Sequence, residues 1–118
     1  MQKLEELKEL AIEFGFDRKL VEPIKFKYNQ KFSMDGILGR YCPIRKTIEI
    51  APDINLYVIF PTVVHELVHA LQRDTMGLIP YLMALTLQRK RIEEDARLLE
   101  EQLYELFAAE ANKPLRSK

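Results

Sequence analysis

Residues 62–73 read Thr62-Val63-Val64-His65-Glu66-Leu67-Val68-His69-Ala70-Leu71-Gln72-Arg73. Pro61 precedes this stretch and suits the first turn of a helix, so we predict one α-helix from Thr62 to Arg73. Residues 53–60 are mostly apolar and could begin with a helical turn capped by Asp53. The predicted helix has a polar and an apolar face, which is typical of a helix buried behind a functional site. The polar face carries Thr62, His65, His69, Gln72 and Met76, and the apolar face carries Val63, Val64, Leu67 and Leu71.

His65 and His69 are the only two histidines in the chain, and they stand four residues apart with Glu66 beside the first. Residues i and i+4 lie about 40° apart around a helix and one turn along it, so both imidazoles can bind one metal ion. Glu66 lies about 100° from His65, where its carboxylate can accept a proton from a water molecule at the metal. Zinc lowers the pKa of such a water to roughly 7.

The alternative interpretation of this H-E-x-x-H pattern is a chance match without a metal. At ordinary residue frequencies, a motif with three fixed positions occurs in well under ~1% of chains this short. Two unliganded histidines inside an apolar helix would also be difficult to satisfy with hydrogen bonds. The motif therefore predicts one zinc ion bound by His65 and His69, with Glu66 as the catalytic base.

The third protein ligand cannot be a histidine, so a cysteine or a carboxylate must supply it. We predict a second long helix over residues 81–111. Its apolar stripe consists of Leu85, Ile92, Ala96, Leu99, Leu103 and Leu106. Glu94 points away from this stripe, whereas Glu93 and Asp95 flank it on opposite sides at about 90° and 70°, and Glu100 shares the side of Glu93. Helical spacing alone leaves Glu93, Asp95 and Glu100 open as the third ligand.

The remaining segments predict an α+β fold. Residues 2–14 carry apolar side chains at helical spacing and should form an N-terminal helix. Residues 24–28, 36–42 and 46–50 have the residue pattern of strands, and short connections join them. We therefore expect a small antiparallel β-sheet packed on the histidine helix and on the C-terminal helix.

The stretch from Gly36 to Leu106 resembles a minimal gluzincin metallopeptidase, similar to the minigluzincins and to the ImmA/IrrE-type regulatory metallopeptidases. Three segments carry the resemblance: the strand region Gly39–Ile50, the helix Val64–Leu71, and the pattern Glu93-x-x-Ala96, in which the glutamate is the ligand of the family. The resemblance implies a zincin-like fold and a C-terminal glutamate helix.

The same resemblance implies that His65, His69 and Glu93 hold the zinc ion. Many gluzincins carry Asp or Asn directly after the alanine of the glutamate pattern, where it supports the site. This chain has Arg97 at that position, so the support is missing or comes from another residue.

We expect a zinc-dependent endopeptidase acting on proteins or peptides, with the substrate bound as an added strand along residues 46–50. The alternative is a catalytically weak, zinc-stabilised interaction or structural module of the same fold. A protein partner would then bind through residues 76–111. Within that segment, residues 76–87 are almost uncharged and predict either buried core or a docking surface for a partner or a membrane.

The composition excludes several other classes. The 118 residues suit one domain, 1–118, and 18 Lys+Arg against 18 Asp+Glu remove the electrostatic argument for a nucleic-acid partner. The single cysteine, Cys42, cannot form an internal disulfide and suits a small buried residue better than a metal ligand. The charged first residues do not resemble a signal peptide, and the apolar run 76–87 is shorter than the roughly 20 residues of a membrane span. We therefore expect a cytoplasmic protein.

Overall fold

A computed structural model describes the backbone of residues 2–111 and the side chains of residues 4–106. The elements in chain order are α1 (Gln2–Phe14), α2 (Arg18–Val21), β1 (Lys25–Tyr28), α3 (Lys31–Asp35), β2 (Gly39–Cys42), β3 (Thr47–Ile50), α4 (Leu56–Met76), α5 (Leu78–Leu87) and α6 (Arg89–Ala111). Six helices and a three-stranded sheet confirm the predicted α+β class and the N-terminal helix.

Helix α4 lies at the centre of the fold and packs on the sheet, on α1, and on both C-terminal helices. Three residues of its predicted apolar face, Val63, Val64 and Leu67, have no exposed surface, whereas the fourth, Leu71, is half-buried. Helix α1 covers this core with Leu7 and Ala11, which are also buried. Burial of this apolar area supplies the main driving force that holds α4 in place.

Helix α4 begins earlier than predicted, at Leu56 rather than Thr62. The side chain of Asn55 caps the helix by accepting a hydrogen bond from the backbone N–H of Tyr57 at 2.7 Å. Asp53, the predicted cap, has a positive φ of 59° and lies before the helix. Pro61 therefore stands inside the helix and cannot donate to the carbonyl of Tyr57, which is an exposed residue open to water.

The sheet is mixed, so the prediction of an antiparallel sheet was wrong for one of its two pairings. The strand order is β1-β3-β2, with β3 parallel to β1 and antiparallel to β2. The prediction considered only the connections between successive strands, which are too short for a parallel crossover. The parallel pair joins β1 to β3, and the intervening residues 29–46 contain α3 and β2, which is long enough for a crossover.

The strand order also shows that the expected position of residues 46–50 at an edge of the sheet was wrong. Residues 47–50 form β3, the central strand, which is paired on both sides and cannot accept an added strand. The edge strand that packs against α4 is β2.

The predicted helix over residues 81–111 is instead two helices that break at Gln88, where φ is −136° and ψ is 42°. No glycine or proline marks this break. Tyr81 of α5 and Ile92 and Ala96 of α6 are all buried, so both helices pack inward with different directions. Tertiary packing therefore overrides the local helical preference at Gln88. Gly77 separates α4 from α5 and adopts a positive φ of 93°.

None of the helices within residues 2–111 combines the length and the apolar character that crossing a lipid bilayer requires.

Candidate metal centre

Three side chains from two helices converge beside the polar face of α4. The Nε2 atoms of His65 and His69 lie 3.2 Å apart. Glu93 Oε1 of α6 lies 3.4 Å from His65 Nε2 and 3.3 Å from His69 Nε2. Two imidazole nitrogens and one carboxylate oxygen therefore meet at a single point, and this group could hold a metal ion.

Local helix geometry positions the two histidines. They stand one turn apart on α4, with ring centroids separated by 4.7 Å and ring planes at 89° to each other. The position of Glu93 depends instead on how α6 packs. Ile92 and Ala96 on either side of it are buried against the core, and they hold the glutamate next to the histidines.

Gln72 supports the second histidine from behind. Its Oε1 accepts a hydrogen bond from Nδ1 of His69 at 2.9 Å, and its Nε2 donates to the backbone carbonyl of Ile92 at 3.0 Å. With the proton on Nδ1, Nε2 of His69 carries the free lone pair that a metal needs. The same amide connects α4 to the residue directly before Glu93, so one buried side chain helps to position both His69 and Glu93. The sequence placed Gln72 on the polar face but did not indicate this role.

Glu100 supports the first histidine. Its Oε1 is hydrogen-bonded to Nδ1 of His65, which leaves Nε2 directed at Glu93. Glu100 follows Glu93 by seven residues, or about two helical turns, and therefore lies on the same side of α6. A carboxylate behind a ligand histidine orients the ring and increases its basicity. Glu100 thus provides the support that Arg97, an exposed residue, does not provide.

Of the other two residues left open as third ligand, Glu100 contacts Nδ1 of His65, whereas Asp95 is not part of this group. Asp95 is exposed and lines a cavity of about 760 Å³. Glu94 is exposed, as its predicted direction required. Cys42 is a half-buried residue of β2. Among the described side chains, His65, His69 and Glu93 form the one group of three that comes close enough to share an ion.

Glu66 follows His65 on α4, and its carboxylate accepts a hydrogen bond from the backbone N–H of Tyr41 in β2. Burial raises the pKa of Glu66, although the nearby His69 and His65 and the Tyr41 N–H oppose this shift. A raised pKa makes the carboxylate a better proton acceptor than an exposed glutamate. The contact with Tyr41 was not predicted, since it depends on how the strand packs against the helix.

The negative charges around the two histidines favour the binding of a cation. Burial alone would lower the pKa of His65, but the hydrogen bond and charge of Glu100 raise it, helped by Glu66 and Glu93. Three carboxylates thus surround two imidazoles. A divalent cation bound at the two Nε2 atoms would satisfy this excess of negative charge.

Strand β2 runs along the site with part of its backbone free of the sheet. Hydrogen-bonded and non-hydrogen-bonded residue pairs alternate along an antiparallel pair of strands. The N–H of Ala51 donates to the carbonyl of Leu38 at 2.9 Å, so Leu38–Ala51 is a hydrogen-bonded pair. The next pair, Gly39–Ile50, and the pair Tyr41–Ile48 are therefore not hydrogen-bonded. The backbone groups of Gly39 and Tyr41 therefore point outward from the sheet. A Cβ atom at Gly39 would meet Thr62 Cγ2 of α4 at 2.6 Å, so glycine permits this close approach of strand and helix.

No family model, no curated protein and no solved structure matches this chain. The resemblance to gluzincin metallopeptidases therefore rests on the sequence motifs themselves.

Proposed function

We propose that this chain is a zinc-dependent endopeptidase of the gluzincin type, in which His65, His69 and Glu93 bind zinc and Glu66 is the catalytic base. The observation that supports it most directly is the separation of the three ligand atoms, 3.2, 3.3 and 3.4 Å. Zinc bonds of about 2.0–2.1 Å in a tetrahedral site place two ligand atoms roughly 3.3 Å apart. Two histidines and one glutamate are also a ligand set of catalytic zinc sites, which keep the fourth position open.

A zinc ion held by these residues would polarise the substrate carbonyl and make water a stronger nucleophile. Glu66 accepts the proton of the attacking water on its carboxylate and returns it to the nitrogen of the departing amine. The backbone N–H of Tyr41 donates a hydrogen bond to the Glu66 carboxylate, which stabilises its ionised form as the proton acceptor. Gln72 and Glu100 hold the two imidazoles in the orientation that binding requires.

We place the substrate along β2 instead of residues 46–50. An extended peptide pairs with free backbone groups of an edge strand. Gly39 and the carbonyl of Tyr41 offer such groups, and the N–H of Tyr41 already contacts the proposed base. A peptide bound there would lie directly beside Glu66. The substrate class we infer is therefore a protein or peptide in an extended conformation.

The alternative function is a zinc-stabilised interaction module with little turnover. It is favoured by two exposed apolar side chains of α6, Leu98 and Leu106, which lie within the segment 76–111 predicted to contact a partner. The enzyme and the module differ in one property, since only the enzyme requires a proton acceptor at Glu66. A cytoplasmic location stays a prediction for either function.

The deciding experiment combines metal analysis with a protease assay on the purified chain. We expect about one equivalent of zinc, which His65→Ala removes together with part of the thermal stability, because a ligand of the folded state stabilises it. Glu66→Gln retains the shape of the side chain but cannot accept a proton. It should therefore keep the zinc and lose at least ~10²-fold in hydrolysis.

Different outcomes separate the two functions. Zinc binding with equal inactivity of wild type and Glu66→Gln against a broad set of proteins would favour the module. Equal activity of the two proteins would show that Glu66 is not the base. Protein purified without chelator that contains no zinc would overturn both functions.

A further inference from the structure

Helix α5 exposes apolar side chains that nothing within residues 4–106 covers. Its ten residues include no charged side chain, and Tyr81 is the one fully buried among them. Ile79, Met83 and Leu87 are 63%, 57% and 74% exposed, respectively. These three residues recur every fourth position, so they form one stripe along the outer face of the helix, here called the α5 stripe. A helix that is apolar on all sides is typical of a protein interior or a membrane environment.

A basic cluster follows this helix directly. Arg89, Lys90 and Arg91 form the first turn of α6, and all three are exposed. None of them forms an ion pair with any residue in the described part of the chain. This includes Glu94 and Asp95, which are spaced to pair with Lys90 and Arg91. The three positive charges are therefore available to an external partner.

We propose that the α5 stripe and the basic cluster together bind the surface of a bilayer that contains anionic lipids. Apolar side chains beside Lys and Arg are the combination that interfacial helices use, since the first enter the acyl boundary and the second contact lipid phosphates. The helix is about 15 Å long at 1.5 Å per residue, about half the thickness of the hydrocarbon core. It would therefore lie in the plane of the interface.

A lipid surface suits this helix better than a protein partner. A typical protein interface contains about ten hydrogen bonds, so its surfaces present polar groups at defined positions. The hydroxyl of Thr86 already donates to the carbonyl of Leu82 in the same helix at 3.1 Å, and Tyr81 is buried. The α5 stripe thus has no polar group to specify a protein, whereas a fluid acyl layer requires none.

A cavity next to α5 adds further apolar surface. It has a volume of about 760 Å³ and lies between α4, α5 and α6, with Met76, Ala84 and Leu98 among its lining residues. Arg91 of the basic cluster also lines it, together with Asp95. This inference does not depend on the metal or on peptidase activity.

The test is co-sedimentation of the full chain with vesicles of phosphatidylcholine, with and without phosphatidylglycerol. We expect binding to the mixed vesicles that weakens as salt is added, and much weaker binding to phosphatidylcholine alone. Replacing Arg89, Lys90 and Arg91 by Gln should reduce binding roughly 100-fold, since each basic residue near an anionic surface contributes roughly fivefold. Replacing the α5 stripe by Gln should abolish binding.

The matched control replaces two exposed apolar residues elsewhere, Met34→Gln and Ile44→Gln, which are 90% and 67% exposed in the wild type and should not change vesicle binding. Circular dichroism and a melting curve establish that each variant is folded. Because the basic cluster is fully on the surface, its variant tests the proposal even if the stripe variant unfolds.

Failure of the wild type to bind either vesicle would overturn the proposal, and so would equal binding to both. Sedimentation equilibrium gives a further result that could contradict the proposal. A dimer that the stripe variant dissociates, with no vesicle binding, would show that α5 contacts a second copy of the chain.

Discussion

Nδ1 of His65 is hydrogen-bonded to Glu100, while Nε2 of the same ring faces Glu93, seven residues earlier on the same helix. Helix α6 therefore supplies the proposed ligand Glu93. It also supplies Glu100, which is hydrogen-bonded to the proposed ligand His65 on α4. The spacing of seven residues returns both carboxylates to one side of α6. Because the ring of His65 is held on both sides, rotation of α6 about its axis would disturb the two contacts together.

The first prediction concerns this support. Glu100→Ala removes the acceptor behind His65 and should weaken zinc affinity by about 10–100-fold, the usual effect of losing a carboxylate behind a ligand histidine. Glu100→Gln keeps an acceptor oxygen but loses the charge, so it should restore part of the affinity. Competition with a chromophoric chelator measures the zinc affinity of the wild type, Glu100→Ala and Glu100→Gln. The exposed neighbour Glu101→Ala serves as control. If Glu100→Ala binds zinc as tightly as Glu101→Ala, the hydrogen bond has no role in metal binding.

A second prediction tests the third ligand. Glu93→Ala leaves two histidines for the ion, so zinc affinity should fall further than in Glu100→Ala. Asp95→Asn and Glu94→Ala should retain nearly all of the affinity, because both residues are exposed and lie away from the histidines. Zinc titration of the three variants is the measurement. Loss of metal in Asp95→Asn with retention in Glu93→Ala would place α6 in a different rotation relative to α4.

Gly39 offers a third prediction, on the packing that brings β2 to the site. In Gly39→Ala the new Cβ would meet Thr62 Cγ2 at 2.6 Å, too close for two carbon atoms, so the strand, the helix or the Thr62 side chain must shift. We expect a loss of about 1–3 kcal/mol in the free energy of unfolding, typical of overpacking. Adding Thr62→Ser removes the opposing methyl group and should recover much of that loss. Urea unfolding of the single and double variants gives the comparison. A double variant no more stable than Gly39→Ala would show that this contact is not the obstacle.

The sequence predicts how His65, Glu66 and His69 are arranged relative to one another, because that geometry is local. His65, Glu66 and His69 lie within two turns of one helix, and helical periodicity alone determines their mutual placement. The third ligand was different, because spacing left three acidic residues open. The choice among them depends on the rotation of α6 about its own axis, which buried contacts at Ile92 and Ala96 determine.

The errors in the predicted fold also arise from packing between elements that are distant in the sequence. Alternating apolar residues identify the strands, but they do not show the order of the strands in the sheet. The sequence therefore did not indicate that β3 lies between β1 and β2. The break at Gln88 lacks a glycine or proline and results from packing of α5 and α6 on α4. The early start of α4 did have a local signal, since Asn55 is a strong capping residue.

The central strand also contains a carboxylate with a predictable effect on acid stability. Arg40 of β2 donates to Glu49 Oε1 at 2.9 Å, Asn29 donates to the same oxygen at 3.4 Å, and Lys27 of β1 lies 3.5 Å from Glu49 Oε2. Burial alone would raise the pKa of Glu49, but these partners, Arg40 foremost, hold it below the ordinary value of 4.5. One ionised side chain therefore joins all three strands.

The fourth prediction follows from the sign of that shift. A carboxyl group whose pKa is lower in the folded chain stabilises the fold above its ordinary pKa, and this contribution is lost as pH falls through the folded value. Glu49→Gln should therefore be less stable than the wild type at neutral pH, and the difference should shrink between about pH 5 and pH 3. Urea unfolding of the metal-free proteins across this range measures it, with the exposed Glu13→Gln as control. A stability difference between wild type and Glu49→Gln that stays constant with pH would mean that the charge of Glu49 does not stabilise the sheet.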